Sequence, residues 1–249
     1  MADRISKLSV AAGRRRAAAV AHKPLAAAGG PIARGFDTAR ARRHLARVDP
    51  ALGEWMRRIG RLQFEWDREF EPVDALARAI LYQQLAGKAA ATIVGRVEKH
   101  LPRGPHLHAE DLRDASHEGL RACGVSANKQ RALKDLAAKA LAGVVPAVNE
   151  LPHLDDDALI ERLTAVRGIG RWTVEMMLIF RLGRADVLPV DDFGVRRGAE
   201  ILLGRKRALK PKRLAEIGRR WAPYRTLASL YLWRIADFGR DGAVERSQD

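Results

Sequence analysis

Two short stretches hold residues whose types and spacing suit chemistry on a charged partner. In Leu163-Thr-Ala-Val-Arg-Gly-Ile-Gly-Arg-Trp-Thr-Val-Glu-Met-Met177, Gly168 and Gly170 stand between two helical patterns. Glycine admits positive φ and carries no Cβ, so the N–H groups that open the second helix can close on an anion such as a nucleic-acid phosphate. A dinucleotide-binding reading fails, because a helix rather than a strand precedes the glycines. Ile169 is predicted to plug the turn into the core, and an ordinary glycine-rich turn between packed helices is the alternative for the same residues. The second stretch is Leu188-Pro-Val-Asp-Asp-Phe-Gly-Val-Arg-Arg197, in which Asp191 and Asp192 precede a helix bearing Val195, Ala199 and Leu202. Either carboxylate can cap that helix, and the capping reading is the stronger one for Asp191. A carboxylate near a helix N-terminus is held in its ionised form by the dipole.

The elements that must position these residues are helices. Helical periodicity runs from Thr38 onward with no sustained alternation, which predicts an all-α class. Asp74 is predicted to cap a helix carrying Leu76, Ala79, Ile80 and Gln83, and Leu85, Ala89, Thr92 and Ile93 to form the next buried stripe. Ser126 is predicted to cap a helix through Leu141 that stops at Gly143, and Asp157 to precede Leu159, Leu163 and Val166. Trp172, Met176, Ile179 and Phe180 share one helical face. No internal repeat is visible, and no Pro- or Ser-rich linker divides the body.

Charge narrows the partner. The 249 residues hold 45 Lys+Arg against 30 Asp+Glu, a net +15, which points to a polyanion. Residues 1–36 carry an excess of +6 and Gly204 to Arg225 an excess of +8, leaving the rest nearly neutral. The first segment reads as a basic, disordered tail, a composition that also suits an organellar transit peptide. The second is followed by an apolar, aromatic helix pattern and is predicted to be held by the fold. With 47% hydrophobic residues the chain can build a packed core. Cys123, the single cysteine, excludes an intramolecular disulfide, a four-thiolate zinc site and an iron–sulfur cluster, and fits a reducing compartment. No apolar run approaches the roughly 18 to 20 residues that span a bilayer.

Arg167-Gly-Ile-Gly-Arg-Trp-Thr173 followed by Leu188-Pro-Val-Asp-Asp-Phe-Gly-Val-Arg-Arg197 resembles the helix-hairpin-helix base-excision DNA glycosylases, and among them the 3-methyladenine-DNA glycosylase II type. Similarity extends to Ala79-Ile-Leu-Tyr-Gln-Gln-Leu-Ala-Gly-Lys-Ala89 and to Arg220-Trp-Ala-Pro-Tyr-Arg225 through Trp233, so it covers residues 40 to 238. The resemblance implies two helical subdomains flanking a DNA-binding and active-site cleft. One would span residues 70–185 and the other residues 37–69 with 186–240, inside a domain running from 37 to 249 after the basic tail of residues 1–36. It implies hydrolysis of the N-glycosidic bond of alkylated purines, with the catalytic aspartate at Asp192.

Trp172, Met176, Phe193 and Trp233 would form an electron-rich base pocket, with Met176 replacing an aromatic found in one branch. Gln84 would be the wedge that fills the gap left by the flipped base, and Gln83 or Tyr82 would line the pocket mouth. Gly168, Ile169, Gly170, Arg171, Arg225 and Lys129 would meet the DNA backbone, and the carbonyls of Val166 and Ile169 could hold Na⁺ or K⁺. Bifunctional members carry a Schiff-base lysine where this chain has Trp172, which implies a monofunctional enzyme without lyase activity. No other cofactor is expected. The expected partner is double-stranded DNA with damaged bases, bound by a cytoplasmic, nucleoid-associated monomer with no membrane attachment. The alternatives are a non-catalytic helix-hairpin-helix DNA-binding protein and a same-fold glycosylase for oxidised or mismatched bases.

Overall fold

The computed structural model describes residues 35–63, 70–205 and 207–245, without the side chains of 240–245. Apart from Gly35 and Phe36, the basic segment 1–36 lies outside the described residues, as does Lys206. The described α-helices are α1 (Thr38–Val48), α2 (Pro50–Ile59), α3 (Pro72–Tyr82), α4 (Gly87–His100), α5 (Ala109–Asp114), α6 (His117–Ala122), α7 (Ala127–Leu141), α8 (Asp156–Thr164), α9 (Arg171–Phe180), α10 (Phe193–Leu202), α11 (Pro211–Gly218) and α12 (Arg225–Glu245). Among the described residues there is no strand, and no helix is long and apolar enough to cross a membrane.

Local chemistry sets most helix starts, though not always through the expected residue. Asp37 caps α1 by accepting from the N–H groups of Ala39 and Arg40, both at 2.9 Å. The cap of α3 is Glu71 rather than Asp74: Pro72 has the preset φ of a first helical residue, so the helix begins earlier. Asp74 then sits in the first turn, where it accepts from the Leu107 N–H at 2.9 Å and the Arg78 guanidinium at 2.8 Å. Asp155, not Asp157, caps α8, taking the Ala158 N–H at 2.7 Å. Ser126 occupies the cap position of α7 but its side chain makes no capping bond, while Gly143 beyond the other end adopts φ +73°. The buried face of α4 is Ala90, Val94 and Val97, displaced from the expected stripe. Leu85 precedes the helix, and turning the valines inward buries more apolar surface than turning Ala89 and Thr92, which are exposed.

The chain divides into two compact units, and the division falls inside α9, between Val174 and Glu175. One unit, residues 70–174 among those described, packs α7 against α3, α5 and α6 around Leu76, Ile80, Leu112, Leu133 and Leu136. The other comprises residues 35–63 and 175–245. Its core holds Trp221 and Tyr231, both fully buried. The polar atoms of these rings are satisfied, as burial requires. Trp221 Nε1 donates to Asp49 Oδ2 at 2.9 Å, Tyr231 Oη donates to the Gly60 carbonyl at 2.9 Å, and Arg42 bonds both Tyr231 and that carbonyl.

In this unit α10 lies against α12 at a separation that only glycine allows. A Cβ at Gly198 would overlap the Leu232 carbonyl, which is helix backbone and cannot swing aside. Gly198→Ala is therefore expected to destabilise the protein by about 1–3 kcal/mol, the usual range for overpacking, measured as a lower urea midpoint with an unchanged slope.

Candidate active site

The turn between α8 and α9 has the build its sequence predicts. Gly168 and Gly170 are exposed, Gly168 has φ +79°, and Ile169 between them is only 3% exposed. A Cβ at Gly168 would stand 3.4 Å from Ala132, so the positive φ, not crowding, is what requires glycine. The N–H groups of Thr173 and Val174 both reach the Gly170 carbonyl, at 2.9 and 3.3 Å. Helical bonding thus starts at that carbonyl, with the Thr173 and Val174 N–H groups as its first donors.

Two side chains of α7 hold the turn from the same unit. Asp135 Oδ2 accepts from the Arg167 N–H at 2.6 Å and from Lys139 Nζ at 2.7 Å, and Lys139 Nζ also donates to the Ala165 carbonyl at 2.6 Å. Burial acts to raise the Asp135 pKa, but these bonds outweigh it and hold the carboxyl below its ordinary value. The pair escapes sequence inspection because an acid four residues before a lysine is also the pattern of an ordinary exposed helix pair.

In the other unit, Asp192 caps α10, the role expected of Asp191, which is exposed. Its Oδ1 accepts from the Val195 N–H and from Trp233 Nε1, both at 2.8 Å, and the residue is 9% exposed. Capping and a catalytic role are therefore compatible in one residue. Trp233 is itself immobilised: it is 4% exposed and stacks on Phe180 with ring centroids 5.7 Å apart. Gly194 makes room for the indole, since a Cβ there would come within 2.7 Å of Trp233 Cδ1 and 3.2 Å of Asp192 Oδ1.

One face of α12 fastens the whole approach to Asp192. Arg225 grips Asp186 through two bonds of 2.7 and 2.8 Å. Thr226 Oγ1 donates to the Arg184 carbonyl at 2.6 Å and accepts from the Val187 N–H at 3.0 Å, and Ser229 Oγ donates to the Val187 carbonyl at 3.2 Å. Trp233 completes the series. Asp186, Thr226, Ser229 and Gly194 are positioning residues that sequence inspection missed, because each acts only on a partner distant in the chain or across a close approach.

Burial acts to raise the Asp186 pKa, yet the Arg225 bonds prevail and depress it below the ordinary 3.8. A depressed carboxylate stabilises the fold above its unfolded pKa, and that stability is lost as the pH falls through the folded value. The melting-temperature advantage of the native protein over Asp186→Asn is thus expected to be full at neutral pH and to shrink as the pH drops below 3.8.

The remaining predicted site residues fall in varied surroundings. Trp172 is half-buried, Met176 is 8% exposed, and Phe193 projects outward at 77% exposure, because the first residue of α10 points away from the core that Val195 and Ala199 enter. Gln84 is exposed with φ +55°, and Gln83 donates through Nε2 to the Gly168 carbonyl at 2.7 Å. Two expected phosphate ligands have structural duties: Arg225 is held by Asp186, and Lys129 Nζ donates to the Leu81 carbonyl at 2.7 Å, partial burial lowering its pKa. Arg171 is exposed. Of the basic stretch Gly204 to Arg225, Arg205, Arg207, Lys210, Lys212, Arg213, Arg219 and Arg220 are exposed.

A helical hairpin with exposed glycines and a buried capping aspartate, on an all-helical frame, define a family. The chain belongs to the HhH-GPD superfamily of base excision DNA repair proteins, whose model matches residues 77–223. It is 41% identical over 171 residues to DNA-3-methyladenine glycosylase 1 of Schizosaccharomyces pombe, covering 68% of this chain and 75% of that protein. Among solved structures it is similar to the S. pombe 3-methyladenine DNA glycosylase in complex with abasic DNA, with TM-score 0.69, 38% identity, and coverage of 78% of this chain and 95% of that one. It is also similar to a DNA-3-methyladenine glycosidase from Bacillus halodurans, with TM-score 0.72, 38% identity, and coverage of 81% and 91%.

Proposed function

We infer that this protein is a monofunctional DNA glycosylase that removes alkylated purines of the 3-methyladenine kind from duplex DNA. The observation that carries the reading is Asp192, a buried carboxylate fixed by two N–H donors at 2.8 Å in a chain of this superfamily. Breaking the N-glycosidic bond builds positive charge on the sugar, so a carboxylate already in place stabilises the transition state more than the ground state. The same carboxylate can orient water or take its proton.

The target base must leave the stack, which costs a few kcal/mol and least for a damaged base. The exposed ring of Phe193 offers a π-face on which a cationic alkylated purine gains. The Gly168 and Gly170 amides, on exposed backbone, position the backbone phosphate without reading sequence, while the Ile169 N–H is held by the Val166 carbonyl. Trp172 brings no amine, so the sugar has no Schiff-base partner at that position and the abasic site is left uncut. The proposed chemistry needs no cofactor. A monovalent cation could be held by the carbonyls of Val166, which also accepts from the Ile169 N–H at 3.0 Å, and Ile169. The protein would act as a monomer in the cytoplasm at the nucleoid.

The test is a panel of oligonucleotide duplexes carrying single alkylated, oxidised or mismatched bases, scored for base release before and after alkali. Release from alkylated purines, with strand cleavage only after alkali, is the expected result. Cleavage without alkali, or a covalent adduct trapped by borohydride, would overturn the monofunctional assignment. Release confined to oxidised or mismatched bases would overturn the substrate class, and DNA binding without release from any duplex would leave the non-catalytic reading.

A further inference from the structure

We propose that Gln83 is a positioning strut that couples the loop bearing the wedge candidate Gln84 to the phosphate-binding turn, so that gripping the backbone and filling the emptied stack occur as one event. This rests on the functional reading above. Gln83 and Gln84 follow α3, and the two have different surroundings. Gln84 is exposed and adopts φ +55°, a left-handed conformation that an L-residue with a long side chain rarely takes. Such a conformation persists only where the flanking chain imposes it.

The chain leading into Gln84 supplies that constraint at two points. Lys129 Nζ holds the Leu81 carbonyl in the last turn of α3 at 2.7 Å. Immediately before Gln84, the Gln83 side chain crosses to the turn between α8 and α9 and donates to the Gly168 carbonyl at 2.7 Å. That turn is in turn fixed to α7 by Asp135 and Lys139. The acceptor is the peptide carbonyl of the glycine with φ +79°, whose exposed backbone stands among the amides assigned to phosphate. Gln83 therefore binds main chain in the turn, and its amide nitrogen is engaged there rather than directed at a base. Losing the bond would leave Asp192 untouched, but would free the loop to place Gln84 in many positions, most of them useless as a wedge.

Removing the strut should slow extrusion of a stacked base and not the bond-breaking step. Gln83→Met keeps the length and removes the donor; Gln83→Ala removes the reach. Both are compared with the native full-length chain in single-turnover base release on two substrates. One is an N7-methylguanine paired with cytosine; the other is the same lesion facing an abasic gap, where little stacking opposes extrusion. The expected loss is about tenfold on the paired lesion, the rate equivalent of roughly one net hydrogen bond, and little on the gapped one. Equal losses on both substrates by variants that melt like the native protein would overturn the strut, and so would undiminished rates on both. Should Gln83→Ala melt lower, Gln83→Met is decisive: a selective loss upholds the strut and an equal one overturns it. Absence of base release by the native protein from either substrate would refute the glycosylase reading itself, which separates the two failures.

Discussion

Asp192→Asn is expected to fold like the native protein and to release alkylated purines about 10² to 10⁴ times more slowly, the range by which positioned carboxylates accelerate such steps. Asparagine caps helices about as well as aspartate, and its Oδ1 can keep both bonds, from the Val195 N–H and from Trp233 Nε1. What disappears is the negative charge, so the variant separates electrostatics from architecture. Single-turnover release on a lesion duplex, with melting temperature measured alongside, makes the comparison. Near-native release by a well-folded Asp192→Asn would remove Asp192 from the chemistry. A marked fall in melting temperature would instead show that its charge chiefly serves the fold.

Gly194→Ala is expected to cut turnover by about 10²-fold, the penalty typical of a misplacement near 1 Å in a catalytic group. The new methyl would begin 2.7 Å from Trp233 Cδ1 and 3.2 Å from Asp192 Oδ1, both too close to be accommodated without movement. The indole cannot swing away freely, since it stacks on Phe180 and is tied to the carboxylate by its own N–H. Either the indole shifts and takes the carboxylate with it, or their bond breaks. The fall should appear in kcat, while affinity for undamaged duplex stays as it was, because the glycines proposed to approach phosphate lie elsewhere in the chain. Unchanged kcat would mean that the site tolerates displacement of Trp233.

The two substitutions probe one idea from different sides. On the proposed reading, the carboxylate is useful because it is charged, and effective because its oxygen is held by two N–H donors. Gly198→Ala provides the contrast, since its methyl strikes backbone of α12 and should lower stability. Together they distinguish loss of charge, loss of position and loss of fold.

Much of this is legible in the amino-acid sequence. Helical class follows from apolar periodicity. The turn at Gly168 and Gly170, with Ile169 turned inward, follows from local rules about φ and side-chain size that need no distant partner. Place ahead of α10 marks Asp191 and Asp192 alike, and the family resemblance singles out Asp192 for catalysis. Its further partner was beyond reach of such rules, because Trp233 Nε1 lies 41 positions along the chain. The same holds for Arg225 and Lys129: both looked like free cations for phosphate, and each is engaged by a group tens of residues away, Asp186 and the Leu81 carbonyl. Phe193, Trp172, Met176 and Trp233 were indistinguishable as aromatic or apolar letters. Packing turned Phe193 out to 77% exposure and buried Trp233 at 4%. Spacing of one to four residues sets backbone conformation and which face is apolar, so the sequence by itself determined the helices and the glycine turn, while the acid that caps each helix differed from the expected one at α3, α8 and α10. Which long polar side chain finds which distant partner depends on how helices remote in sequence pack, and that only the tertiary structure decided.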